Sequence, residues 1–173
     1  KMVTAAAALD SGVFTPDSRF DDPGYCIEYG KHVSNAGNPE APESFGNVNL
    51  VQGFQHSINS VFCNIGKRLG AGTILEYAKR FGFYSIPPLE TPTEERAASG
   101  LYYNGKLVYP KHPSTQVDPG RLAFGQEHML ATPIQMAMVA AAIANGGVVM
   151  RPYSVSKVLS PSGTIVTNGK PDQ

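Results

Sequence analysis

The sequence predicts an α+β domain, mainly helical, with a β-hairpin near its C-terminal end. Three observations carry this expectation. Apolar residues recur at helical spacing from Asn59 to Leu69, Thr73 to Phe81 and Thr132 to Asn145. The first ten residues, Lys1 to Asp10, include a run of four alanines, the strongest helix former. Tyr153 to Leu159 and Thr164 to Thr167 flank Pro161-Ser-Gly163, which is hairpin chemistry.

Taken in order, the first helix ends at Ser11-Gly12, with glycine in the usual position after a helix C-terminus. Its apolar character on most sides predicts a central helix packed all round. A Gly, Pro and Asn-rich stretch from Gly24 to Gly46 reads as a long irregular connection, with turn pairs at Pro23-Gly24 and Asn38-Pro39. Asn49 is a plausible N-cap for a short helix to Gln55. In the Asn59 to Leu69 helix, Val61, Phe62, Ile65 and Leu69 lie at helical spacing, and Gly70 and Gly72 end it. Thr73 to Phe81 follows, with Ile74, Leu75 and Ala78 inward and Gly82 as its stop. Pro87 to Gly125 is a second long connection, broken by a small hairpin from Leu101 to Tyr109 around Asn104-Gly105. Loops of this length are usually functional walls or rims. Thr132-Pro-Ile-Gln135 reads as a capping box with proline at N1, opening a helix that stops at Asn145-Gly146-Gly147.

A chain of 173 residues suits one domain and can bury a sizeable core. Fourteen basic residues balance fourteen acidic ones, so the charge excess that nucleic acid or an anionic membrane surface attracts is missing. No apolar run is long enough to cross a bilayer, and no signal-peptide pattern opens the chain. Cys26 and Cys63 are too few for a disulfide scaffold. Two free thiols are the simpler reading, and an oxidising compartment would allow one bridge.

His32, His56, His112 and His128 lack metal-ligand spacing, so no metal is expected. Gly70-Ala-Gly72 lacks the rest of any phosphate fingerprint, and no cofactor is expected. Glu94-Glu95 reads as a solvated turn. Ser57-Ile58-Asn59 stands at the mouth of a helix, where Ser57 or Asn59 could serve simply as the N-cap. Lys1, at the head of an Ala-rich helix, must either extend its amine to water or use it. The order Ser-x-x-Lys, Ser-x-Asn, Lys-Thr-Gly marks serine-acylated β-lactam-binding enzymes. The separation of 56 positions from Lys1 to Ser57 suits that of its first two motifs.

On these residues the chain resembles the transpeptidase domain of class B penicillin-binding proteins, the actinobacterial cell-division type most of all. Lys1 to Gly12 is similar to the family's nucleophile helix, starting at the motif lysine. Gly46-Asn-Val-Asn-Leu50, Ser57-Ile-Asn-Ser-Val-Phe62 and Leu69-Gly70 resemble the second motif and its surroundings. Phe81-Gly-Phe83 resembles the family's close of the next helix, and Phe124-Gly-Gln126, Thr132-Pro-Ile-Gln135, Ile143-Ala-Asn-Gly-Gly147 and Arg151-Pro152 resemble the run before the third motif. The resemblance implies the penicillin-binding protein / serine β-lactamase-like fold, an antiparallel sheet flanked by helices, of which residues 1–173 hold mainly the helical part plus a hairpin. On this reading the chain is a partial transpeptidase domain. It starts at the lysine of the first motif and ends before the Lys-Thr-Gly strand, with the nucleophilic serine three residues before Lys1.

The resemblance further implies a D,D-transpeptidase that cross-links peptidoglycan stem peptides ending in D-Ala-D-Ala and is acylated by β-lactams. Lys1 would be the base, Ser57 a proton carrier, and Asn59 a holder of both the lysine and the substrate amide. It implies an extracytoplasmic location at the bacterial membrane, anchored by a segment outside these residues, with division or elongation proteins as partners. The rivals are a β-lactamase or β-lactam sensor of the same fold, and a non-catalytic scaffold. Retention of Lys1, Ser57 and Asn59 together speaks against the scaffold.

Overall fold

A computed structural model describes residues 1–172. Its elements form in an order that brings distant residues around one central helix. Helix α1 spans Met2–Asp10, and Gly12 takes the left-handed conformation that ends it, with φ +70°. Strand β1, Arg19–Asp22, pairs antiparallel with β4, Gly46–Asn49. Between them, β2 (Tyr25–Glu28) and β3 (Lys31–Ser34) form a hairpin closed by Tyr29 and Gly30, both at positive φ. The expectation of an irregular Gly24 to Gly46 connection is therefore corrected. Tyr29 is not a typical turn residue, so nothing in its type announced the hairpin.

Helix α2, Leu50–Gln55, opens on a full capping box: Asn49 accepts from the Gln52 backbone, and the Gln52 side chain accepts from Asn49. Helix α3, Asn59–Leu69, ends at Gly70, and α4, Ala71–Arg80, starts there, two residues earlier than the sequence suggested. After a 3-10 turn at Thr93–Glu95, the expected small hairpin is present as β5, Gly100–Tyr103, and β6, Lys106–Leu107. The same connection also holds α5, Pro113–Gln116, and α6, Pro119–Phe124, which Asp118 caps at Arg121 N. A short strand β7, Met129–Leu130, joins β5. Helix α7 spans Pro133–Ala144, and β8 (Lys157–Leu159) pairs with β9 (Ile165–Asn168) in the predicted terminal hairpin. The fold is α+β, as expected. Among the described residues no helix is long and apolar enough to cross a membrane.

The core lies on both sides of α3. Ile58, Val61, Phe62 and Ile65 meet Ala8, Phe14, Phe20, Val48 and Leu50 on one side. Leu75, Leu101, Val117, Leu122 and Ala123 form the neighbouring cluster around α4 and α6. Helix α6 sits unusually close to α3 because Gly66 carries no side chain. A Cβ there would lie 2.1 Å from the Pro119 carbonyl oxygen and 2.6 Å from Ala123 Cβ. Gly120 does the same from the other helix, facing Cys63 and Glu28.

Three further expectations are corrected. Cys26 and Cys63 are not free thiols but a disulfide, with Cα atoms 6.4 Å apart, fixing β2 to α3. Helix α1 is not covered on every side: Thr4, Ala7 and Ala8 are buried, whereas Ala5, Ala6 and Leu9 line an apolar groove with Val51, Phe54 and Ile143. The capping box at α7 is half formed. Thr132 accepts from Gln135 N, but the fully buried Gln135 side chain turns away and donates to the Phe81 carbonyl at the end of α4 at 2.6 Å. The Thr132 N–H goes to Ser99 instead.

Candidate active site

The site forms where the start of α1 meets the link between α2 and α3. That link is short and tightly determined. Ser57 N–H donates to the Phe54 carbonyl, and Ile58 N–H to the Gly53 carbonyl. This is the double hydrogen bond of a Schellman motif, with Ser57 in the left-handed position that glycine normally takes. Its φ is +55°, a conformation costing a non-glycine residue about 1 kcal/mol. Gly53 permits the turn, since a Cβ there would stand 2.6 Å from Val61 Cγ1. A strained residue held by such contacts is a common mark of a functional position.

Lys1 reaches this turn across 56 residues of chain. Its Nζ donates to the Ser57 carbonyl at 2.6 Å, to Ser57 Oγ at 2.8 Å and to Asn59 Oδ1 at 2.7 Å. Those three bonds use every donor of an ammonium group. The aliphatic stem is half-buried, with Nζ 5.7 Å from the Phe62 ring centroid. Burial lowers the Lys1 pKa from 10.5 to about 8, so about a tenth of the amine is neutral at pH 7. All three residues singled out from the sequence therefore meet at one point. A lysine part-neutral at physiological pH, touching a hydroxyl and a side-chain amide, can take and return protons in acyl transfer.

The N-cap reading of Ser57 and Asn59 is not what the structure shows. Ile58 occupies the N-cap of α3, and no N-cap side chain bonds there. The first turn is capped from outside: Asn35 Oδ1, just after β3, accepts from Ser60 N at 3.0 Å. Asn59 is thereby left free to bond Lys1, while its Nδ2 donates to the Ser34 carbonyl at 3.0 Å.

Asp22, Asn35 and Ser60, which the sequence did not single out, form a buried polar layer behind these groups. Asp22 is 2% exposed and accepts from Ser60 Oγ, Asn35 Nδ2, Gly24 N and Phe45 N. Burial acts to raise its pKa, but those hydrogen bonds, Ser60 first, outweigh it and hold the carboxyl below the usual aspartate range. No motif marks Asp22. Its only signal is an acidic residue at an inward strand position, which demands partners. Farther along α3, the disulfide at Cys63 and the Lys67–Glu28 ion pair at 2.7 Å fasten the same hairpin. Asn59, Cys63 and Lys67 are spaced four apart, so one helical stripe holds the β2–β3 hairpin in place.

None of the four histidines takes part. Among the described residues the one group with metal-ligand proximity is Cys26, Glu28 and Cys63. Its two sulfurs are joined to each other, which removes the thiolates a soft metal needs.

The pattern of the penicillin binding protein transpeptidase domain matches residues 1–172. The peptidoglycan D,D-transpeptidase PbpA of Mycobacterium tuberculosis is 32% identical over 169 residues, covering 93% of this chain and 30% of that protein. The peptidoglycan D,D-transpeptidase MrdA of Escherichia coli is 26% identical over 153 residues, covering 88% of this chain and 24% of that protein. Among solved structures, the imipenem acyl-enzyme complex of penicillin-binding protein A from M. tuberculosis superposes with a TM-score of 0.76 at 31% identity. That match covers 98% of this chain and 37% of the other. The D,D-transpeptidase domain of a peptidoglycan glycosyltransferase from Eggerthella lenta gives 0.75 at 28% identity, covering 99% of this chain and 41% of the other. The chain thus spans about a third of the length of the relatives it matches. With a matching pattern over nearly every residue and Lys1 Nζ bonded to both Ser57 and Asn59, this chain belongs to the penicillin-binding protein transpeptidase domain family.

Proposed function

We propose that this chain is part of a D,D-transpeptidase that cross-links peptidoglycan stem peptides through a serine acyl-enzyme. The contact of Lys1 Nζ with both Ser57 Oγ and Asn59 Oδ1 carries the reading. In the whole protein a serine three positions before Lys1 supplies the nucleophile, one helical turn away on the same face. Neutral Lys1 takes the serine proton as Oγ attacks the carbonyl between the two D-alanines. A tetrahedral intermediate forms, and the C–N bond breaks. The leaving D-alanine amine receives its proton through the Ser57 hydroxyl, which donates to it and is reprotonated by the Lys1 ammonium. An amine of a second stem peptide then attacks the ester, with the protons moving in the reverse order, and the serine is restored.

Asn59 bonds the lysine through Oδ1, orienting Nζ. In this reading its amide also meets the substrate peptide bond. β-Lactams enter the same step, their strained amide standing in for the D-Ala-D-Ala bond. Residues 1–172 supply the helical wall of the site, and a Lys-Thr-Gly strand of the whole protein supplies the other. The protein works on the outer face of the bacterial membrane, anchored by a segment outside this chain, beside division or elongation proteins.

The test is intact mass of the whole protein after incubation with penicillin G. A stable adduct of one equivalent on that serine supports the transpeptidase. Rapid loss of the adduct would indicate a hydrolase, and no adduct on a folded protein would indicate a scaffold.

A further inference from the structure

Three residues are brought together behind the site from separate elements: Asp22 at the end of β1, Asn35 just past β3, and Ser60 in the first turn of α3. They are 2%, 6% and 0% exposed, so water does not satisfy their polar atoms. The bonds among them join the end of β1, the residue after β3 and the first turn of α3. Asn35 Nδ2 lies 3.0 Å from each oxygen of Asp22, Asn35 Oδ1 accepts from Ser60 N, and the Ser60 hydroxyl donates to Asp22. The Asn35 backbone N–H is itself tied to the Gly24 carbonyl at 2.8 Å. The residue before it, Ser34, offers the carbonyl that holds Asn59 Nδ2.

We propose that Asp22 and Asn35 are positioning residues for acyl transfer, fixing Asn59 and through it the amine of Lys1. Two routes run through Asn35. Its side chain caps the helix turn on which Asn59 sits, and its backbone sets the height of the Ser34 carbonyl. The buried carboxylate of Asp22 locks the Asn35 amide so that its oxygen, not its nitrogen, faces Ser60. An external cap suits the chemistry. A Ser or Asn cap supplied from the Ser57–Asn59 segment itself would spend on the helix a side chain that the site needs. Buried polar networks of this kind hold one geometry only while every member is satisfied.

The inference rests on the acyl-transfer reading, and the experiment separates the two. The whole protein is titrated with a chromogenic penicillin, and both the amount acylated and the maximal rate of acylation are measured. Asn35→Ala is expected to keep the full amplitude while the rate falls ten- to hundredfold, the scale of a misplacement of about 1 Å. In an Asn59→Ala background the same change is expected to add less than about twofold, because the residue it positions is gone. A lower amplitude at the wild-type rate would show a purely structural role and overturn the inference. So would losses that multiply in the double variant. Should Asn35→Ala not fold, Ser60→Ala removes only the hydroxyl bond to Asp22 and keeps the backbone cap. It carries the same pattern at a few-fold loss of rate, and a wild-type rate there overturns the inference. A wild-type protein that takes no penicillin defeats the acyl-transfer reading itself, and this inference with it.

Discussion

Gly66→Ala is the substitution whose effect the fold most clearly reverses. In an isolated helix, replacing a mid-helix glycine by alanine is worth about 1 kcal/mol of added stability. In α3 the new Cβ would stand 2.1 Å from the Pro119 carbonyl oxygen, against the 3.0 Å below which real Cβ atoms are essentially never found. The helices must separate by about 0.9 Å, because the obstacle is backbone and cannot swing aside. Separation loosens Leu122 and Ala123 from their cluster on one side of α6 and shifts α3 against its own cluster on the other. Overpacking of this kind costs about 1–3 kcal/mol, and a backbone obstacle places it at the upper end, so the helix gain is outweighed. The displacement also reaches the site. Gly66 lies seven residues along α3 from Asn59, and a shift near 1 Å there slows catalysis by up to about a hundredfold. Denaturant unfolding of the whole protein is expected to show a loss of about 2 kcal/mol, with penicillin acylation slowed more than tenfold. A variant as stable as the wild type, acylated at the same rate, would refute the reasoning about α3–α6 packing.

Other outcomes follow from the same geometry. Ser57→Gly relieves a left-handed serine, so stability is expected to stay within about 1 kcal/mol of the wild type while acylation falls at least about a hundredfold. A melting-temperature loss that accounts for the lost activity would return Ser57 to a structural role. The Lys1 pKa is lowered by burial to about 8, and in the proposed mechanism the neutral amine is the reactive form. Acylation should therefore climb with pH through about 8 and level off above it; a rate still climbing through pH 10 would contradict that assignment. Replacing both Cys26 and Cys63 by Ala opens a closed loop with a sequence separation of 37. Chain entropy sets the expected loss at about 4 kcal/mol at most, read as a lower denaturant midpoint, and an unchanged midpoint would show that the bridge constrains nothing.

Much of the site could be read in the sequence because its signals are local. Helix α3 has the expected bounds because its apolar spacing and closing glycine are properties of consecutive residues. Lys1, Ser57 and Asn59 were recognisable as residue types at a motif separation, and the fold brings them into contact. The same local logic failed where a residue's partner is distant. Gln135 fits a capping box by spacing, yet its amide found the carbonyl of Phe81, 54 residues away, and closes α4 instead of opening α7. Either Ser57 or Asn59 suits the N-cap by residue type, but the cap comes from Asn35, and only tertiary contact frees them.

The sequence by itself determined the helices with clear periodicity, the terminal hairpin, the family resemblance and the three candidate residues that the fold brings together. Tertiary structure alone decided what orients them. The left-handed turn at Ser57 exists because Gly53 lets α2 close on Val61. The burial that lowers the Lys1 pKa is a property of its assembled surroundings. The Asp22–Asn35–Ser60 layer draws on three elements that carry no shared motif. Periodicity and capping are set by neighbours within a few residues, whereas desolvation and buried hydrogen bonds depend on which distant groups the packed chain places side by side.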